Sequence, residues 1–164
     1  MNIKNLLVMR HAHAPNIHSS DWERNLSDEG MLQAKKAAEF LKSSFKVDKI
    51  LCSLALRTNQ TLEILQERLN VQLVDIKLEF YKATELEWLS DIKAQGDEIN
   101  NLLIIGHNPT LSHLIKILTD NNKAKEEFSG ILAPAEIAVI RFNSQSWQNL
   151  TKESKTLERI FKPT

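Results

Sequence analysis

Short apolar runs alternate along this chain with segments whose apolar residues recur at helical spacing, and that pattern predicts strands and helices in turn. Ile3 to Met9 reads as a buried strand. Ser27 is placed to cap a helix, Asp28 and Glu29 follow where acidic groups favour the helix dipole, and Met31, Ala34, Ala38, Leu41 and Phe45 repeat at helical spacing. Val47 to Cys52 reads as a second strand, a helix carrying Thr61, Leu62, Leu65 and Leu69 on one side comes next, and Val71 to Ile76 reads as a third strand. Glu85 to Gln95, with Leu86, Leu89 and Ile92, predicts an amphipathic helix that ends near Gly96.

Leu102 to Ile105 is continuously apolar, as a strand covered on both faces would be. Pro109 then opens a helix with Leu111, Leu114, Ile115 and Leu118. The polar segment Thr119 to Glu127 reads as an exposed connection, Glu136 to Phe142 as a strand, and Trp147 to Phe161 as one or two more strands at the sheet edge. Such alternation predicts an α/β fold: a three-layer α/β/α sandwich whose mostly parallel central sheet carries helices on both faces. The 164 residues show no repeat, low-complexity tract or linker, so one domain over residues 1–164 is expected.

Composition narrows the field. Hydrophobic residues make up 42% and charged residues 26%, ordinary values for a folded globular chain. Lys plus Arg number 21 and Asp plus Glu number 21, a net charge of zero that disfavours a nucleic-acid partner, so positive charge can matter only locally. The single cysteine, Cys52, excludes an intrachain disulfide and sits in an apolar run that suits a buried, inert thiol. The first residues lack the long apolar core of a signal peptide, and no apolar run approaches the ~20 residues of a membrane helix. A cytoplasmic protein with no membrane partner is expected.

Three strand ends carry chemistry. The first closes on Arg10-His11-Ala12-His13-Ala14, the second on Ser53-Leu54-Ala55-Leu56-Arg57, the fourth on Gly106-His107-Asn108-Pro109. In open α/β sheets ligands bind just past the carboxyl ends of strands, so side-by-side strands would bring two arginines and two histidines together. That set suits a phosphoryl group: Arg offers a planar, permanently charged fork, and His a nucleophilic nitrogen or a donor.

These blocks resemble the histidine phosphatase superfamily, which includes the phosphoglycerate mutases. Arg10-His11-Ala12 followed by Arg24 to Gly30 and Gln33-Ala34 is similar to its opening signature, Ser53 to Thr61 to its second block, and Ile105 to Pro109 to its third. The Arg10 to Ala14 form, Tyr81-Lys82-Ala83 and the segment from Ala135 to Trp147 are most similar to the SixA-type phosphohistidine phosphatases. The resemblance covers nearly the whole chain in order.

It implies that His11 is a nucleophile that becomes transiently phosphorylated, that Arg10 and Arg57 grip the phosphoryl oxygens, and that His107 donates to them. Arg24 matches a further phosphate or substrate contact. Neutral imidazole is needed for attack, and the flanking guanidinium groups are expected to disfavour the protonated form of His11. Glu79 falls where larger members of the superfamily hold a general acid, and Asp21 and Glu85 are other carboxylates within reach. No cofactor or metal is expected. His11 and His13 could face one way on an extended segment, but no Cys pair or Asp/Glu cluster completes a shell. His13, His18 and His113 read as surface or packing residues, and Trp22, in the loop before Arg24, is placed where it could line the pocket mouth. The implied substrate is phosphohistidine in a phosphotransfer or carrier protein. Alternatives are a phosphatase for a small phosphorylated metabolite, a mutase, and a non-catalytic phosphohistidine-binding module.

Overall fold

The computed structural model describes residues 3–16, 20–119, 128–151 and 155–164. Among these residues six strands form one sheet: β1 (Ile3–Arg10), β2 (Lys49–Ser53), β3 (Leu73–Lys77), β4 (Asn101–Gly106), β5 (Ile137–Asn143) and β6 (Lys155–Phe161), in the order β3-β2-β4-β1-β5-β6. Strands β3, β2, β4 and β1 run parallel, β5 is antiparallel to β1, and β6 is antiparallel to β5. Between them lie the helices α1 (Asp28–Ser44), α2 (Leu56–Gln66), α3 (Glu85–Lys93) and α4 (Thr110–Leu118).

The period-2 alternation of β1 divides the core between the two faces. Leu6 and Val8 join Trp88, Leu89 and Ile92 of α3 and Leu111, Leu114 and Ile115 of α4 in one cluster. Leu7 and Met9 join Ala34, Ala37, Ala38 and Leu41 of α1 and Leu62 and Leu65 of α2 in the other. The interior strand β4 sends Leu102 and Ile104 to one side and Leu103 and Ile105 to the other, which is why its sequence is apolar without a break. The expected three-layer sandwich is what forms.

Ser27 caps α1, its side chain accepting from the Gly30 N–H at 3.0 Å. Gly30 is required by close approach, since a Cβ there would run into the main-chain carbonyl of His13. Helix α1 is thereby pinned against the segment that follows β1. The sequence pattern misplaces its buried stripe in part: Met31 is 40% exposed and Phe45 is the C-cap, while Ala37 and Phe40 are buried. Small Ala side chains let α1 pack close to the sheet, a signal weaker in a hydrophobicity pattern than bulk. Among the described residues of 147–161 there is one strand, β6, because Trp147 turns inward on a single 3-10 turn (Trp147–Asn149) and buries against Phe142. Of the expected exposed connection at 119–127, Thr119 is buried with its hydroxyl donating to the Ile115 carbonyl at 2.6 Å; the remainder lies outside the described residues. Among the described residues no helix is long and apolar enough to cross a membrane.

Candidate active site

The sheet order sets β2, β4 and β1 side by side with their carboxyl ends at one edge. Arg10 and His11 leave β1 there, His107 leaves β4, and Ser53 ends β2 just before α2 begins. The His11 N–H donates to the Gly106 carbonyl at 3.2 Å, tying the two strand ends together. From the other side, the Ala135 N–H donates to the carbonyls of both Arg10 and His11 at 3.1 Å. Ala135 holds φ 60, a left-handed conformation uncommon for a residue with a Cβ and fixed here by that double contact. The Ala12 N–H reaches Thr61 of α2 at 3.1 Å, and Thr61 donates in turn to the Arg57 carbonyl at 2.7 Å. The turn bearing His11 is therefore held by three neighbouring elements.

His11 is buried, with 4% of its surface exposed. Its Nδ1 lies 2.7 Å from the Ala12 carbonyl, which can only accept, so Nδ1 carries the proton and Nε2 the lone pair. The Arg57 Nε–H donates to that Nε2 at 3.2 Å. His107 faces His11 with ring centroids 5.5 Å apart, and its Nε2 lies 2.7 Å from the Ser53 hydroxyl. Arg10 donates from Nη1 to the Leu132 carbonyl at 3.2 Å. The structure thus gathers His11, Arg57, His107 and Arg10 in one cluster at the carboxyl ends of β1, β2 and β4.

The ionisation of the two rings follows from where they sit. Burial pushes His11 down to about 3, with the charges near His107, Arg57 and Arg10 acting in the same direction and the Ala12 carbonyl opposing. This corrects the expected cause: loss of water, more than the guanidinium groups, keeps the ring neutral. His107 is likewise lowered to about 3 by burial, then by Arg57, with Asp21 opposing. The Arg10 guanidinium is itself lowered, by burial first and by Arg24 and Arg57 next.

Arg57 is nearly buried at the second position of α2, so the partial positive charge of the helix start adds to its own. Thr58 secures that start: its hydroxyl accepts from the Ala55 N–H at 3.1 Å. Arg57 also donates from Nη1 to the Asp21 carbonyl at 2.7 Å and from Nη2 to Asp21 Oδ2 at 3.0 Å. Asp21 lies on a single 3-10 turn (Asp21–Glu23), and its carboxylate further accepts from the Tyr81 hydroxyl at 2.5 Å and from Arg24 Nη1 at 3.1 Å. Tyr81, with Arg24 and Arg57 behind it, holds this carboxyl well below the usual carboxylate range despite partial burial. Arg24 also donates to the carbonyls of Ala14 and Pro15.

The other sequence candidates fall as follows. Glu79 is exposed on the 3-10 turn Leu78–Tyr81 and forms no hydrogen bond or ion pair among the described residues, so this structure does not bring it into the cluster. Glu85 pairs with His113 at 3.0 Å. His13 lies 2.7 Å from the Ser27 hydroxyl and braces the start of α1, and His18 lies outside the described residues. Trp22 packs edge-on against Tyr81, which packs edge-on against His107. Sequence reasoning did not single out Ser53, although it sits at the strand end beside His107, nor Tyr81 as a partner of Asp21. Cys52 is buried, and its thiol is pushed up to about 12 by that burial.

Comparison with known proteins gives this arrangement a family. The model of the histidine phosphatase superfamily (branch 1) matches residues 6–79. An uncharacterised protein of Mycobacterium leprae is 31% identical over 150 residues, covering 89% of this chain and 91% of its own. The solved structure of a candidate phosphohistidine phosphatase SixA from Nakamurella multipartitia has a TM-score of 0.84 at 24% identity, covering 99% of this chain and 98% of the other. A protein histidine phosphatase SixA complexed with tungstate has a TM-score of 0.81 at 22% identity, covering 97% of each chain. At such identities the two solved structures establish the shared fold. With its sequence relatives, its matching blocks and its fold in agreement, the chain belongs to the histidine phosphatase superfamily, branch 1.

Proposed function

We propose that this protein is a SixA-type phosphatase that removes the phosphoryl group from phosphohistidine in another protein, through a phosphorylated His11. The observation that carries the reading is the state of the cleft. His11 presents an unprotonated Nε2, while Arg10 Nε and His107 Nδ1 are buried with no partner among the described residues. Buried donors without partners cost free energy unless something else satisfies them. A tetrahedral oxyanion seated over His11 would take both, and the fold neighbour bound to tungstate accommodates an anion of that shape.

In this reading Nε2 of His11 attacks phosphorus in line, and the bond from phosphorus to the substrate nitrogen breaks. Arg57 turns its Nε–H from the ring to a phosphoryl oxygen, and Arg10 donates beside it. A Ser53 hydroxyl that donates to His107 Nε2 leaves the proton on Nδ1, so His107 serves as a neutral donor to the third oxygen. Water then attacks the phosphorus carried by His11, the bond from phosphorus to Nε2 breaks with its electron pair returning to the ring, and inorganic phosphate leaves. Arg24 steadies the mouth through Asp21. No cofactor or metal takes part, the enzyme works in the cytoplasm, and its partner is a phosphotransfer or carrier protein.

The leaving group favours phosphohistidine over a phosphate ester. An alkoxide must be protonated as it departs, an aid typically worth ~10²–10⁴-fold. Asp21, the carboxyl bonded to Arg57, is held ionised and has no proton to give. The test compares turnover of a phosphohistidine protein, a phosphohistidine peptide and sugar phosphates in the presence of chelator, with His11→Ala as the blank. Phosphohistidine protein should be turned over fastest. Faster turnover of sugar phosphates would replace this reading with a metabolite phosphatase, and binding without turnover would replace it with a reader module.

A further inference from the structure

We propose that Asp21 sets the preference for phosphorus–nitrogen over phosphorus–oxygen substrates by accepting a hydrogen bond from the ring N–H of a protonated phosphoimidazole. The inference rests on the phosphatase reading above and assigns a specificity-determining residue within it.

Asp21 stands between the buried cations and the solvent. Its side chain is 52% exposed, while that of Arg57, one hydrogen bond further in, is 6% exposed. An ionised carboxylate has about four acceptor positions. Among the described residues three are filled, by the Tyr81 hydroxyl, Arg57 Nη2 and Arg24 Nη1. Tyr81 and Arg57 engage Oδ2 and Arg24 engages Oδ1, so among the described residues both oxygens are held and one acceptor position stays open, on Oδ1, in the carboxylate that bonds the guanidinium contacting His11 Nε2. A group leaving phosphorus in line departs on the side opposite His11 Nε2, away from that buried ring.

Phosphohistidine carries phosphorus on one ring nitrogen and, when protonated, hydrogen on the other. As His11 Nε2 forms its bond to phosphorus, the breaking bond returns its electron pair to the substrate ring. The product is neutral imidazole with its N–H retained, so no proton need be delivered. A carboxylate that accepts from that N–H favours the protonated ring in the bound state and holds it in line. The same carboxylate does nothing for an ester, whose departing oxygen offers no N–H and whose charge it repels. A fixed anion at the mouth is thus suited to one leaving-group chemistry and opposed to the other. The strong pull of Tyr81 on this carboxyl accords with that role.

The test uses the full chain and two substrates, a phosphohistidine peptide and an aryl phosphate ester. Their kcat/KM ratio is measured for the parent, Asp21→Asn and Asp21→Glu, with circular dichroism to establish folding. The Asn variant should lower the nitrogen-to-oxygen ratio by about 10- to 100-fold, the value of one charge-assisted bond. The basic limb of its kcat–pH profile on the peptide should move to lower pH, because the bound ring loses its proton more readily. Asp21→Glu, which keeps the charge, should retain more of the ratio than Asn. Equal losses on both substrates with an unmoved pH profile would make Asp21 only a prop for Arg57 and overturn the proposal. A parent enzyme that itself prefers the ester would take down the phosphohistidine reading as well, and that result is visible before any variant is made.

Discussion

The Arg57 Nε–H donates to Nε2 of His11 across 3.2 Å, from the start of α2 to the end of β1. In this state the guanidinium occupies the lone pair that would attack phosphorus, and an incoming phosphoryl group competes for the same N–H. In the proposed mechanism one residue thus holds the ring in register and then serves as an oxyanion donor. Arg57→Lys keeps a charge but loses the planar fork, the Nε–H and the paired contacts to Asp21. Steady-state kinetics should show kcat/KM falling by about 10²–10³-fold, the scale of losing one preorganised oxyanion donor. A loss under threefold would mean that charge alone suffices.

Ser53 lies 2.7 Å from His107 Nε2, and a hydroxyl that donates there leaves the ring proton on Nδ1, the donor that the proposed mechanism uses. Ser53→Ala frees the ring to place its proton on Nε2 and turn an acceptor toward the phosphoryl oxygens. We expect kcat to fall by about fivefold, the effect of losing one neutral hydrogen bond of ~1 kcal/mol, with little change in KM. A change confined to KM would assign Ser53 to binding instead.

The convergence of residues 10, 11, 57 and 107 was legible in the sequence because each closes or follows a strand, and the spatial order of β2, β4 and β1 was all that had to be supplied. The surroundings of these four were hidden for physical reasons. Tyr81 meets Asp21 across 60 positions of chain, joining two short 3-10 turns that have no periodic signature. Ala135 takes a left-handed conformation with no glycine to announce it, held by the carbonyls of residues 10 and 11. The neutral state of His11 was expected correctly but from its neighbours' charges, whereas burial, invisible in a tripeptide motif, is the larger cause.

Acid should weaken the fold through the two buried rings. An unfolded chain protonates His11 and His107 near 6.5, whereas the native rings resist protonation until about 3. Between these values the unfolded state binds more protons, so stability falls as pH drops through that window and is unaffected by these rings above it. From pH 7 to pH 5 each ring should account for a loss of about 2 kcal/mol. Urea unfolding at both pH values checks this, and His11→Asn should show a smaller loss than the parent. Identical losses in the two proteins would mean that His11 titrates normally in the native state.

At the opposite end of β1, Lys4 is buried at 1% exposure and bonds the Asp97 and Ile99 carbonyls at 2.6 and 2.7 Å. Its ammonium is lowered by burial, yet its donors are matched. Lys4→Met would leave the Asp97 carbonyl without this donor and should lower stability by about 1–3 kcal/mol while sparing kcat/KM. Thermal unfolding and kinetics on the same preparation separate the two effects. A catalytic loss at full stability would contradict the remoteness of Lys4 from the cleft.

The proposed catalysis depends on a neutral, lone-pair-bearing Nε2 of residue 11 receiving phosphorus. The direct measurement is to incubate the protein with a small phosphoramidate, quench in alkali and locate the phosphate by mass spectrometry. We expect acid-labile, alkali-stable phosphate on His11, absent in His11→Ala. Turnover of the phosphoramidate with no phosphate on His11, or with undiminished turnover by His11→Ala, would contradict the account.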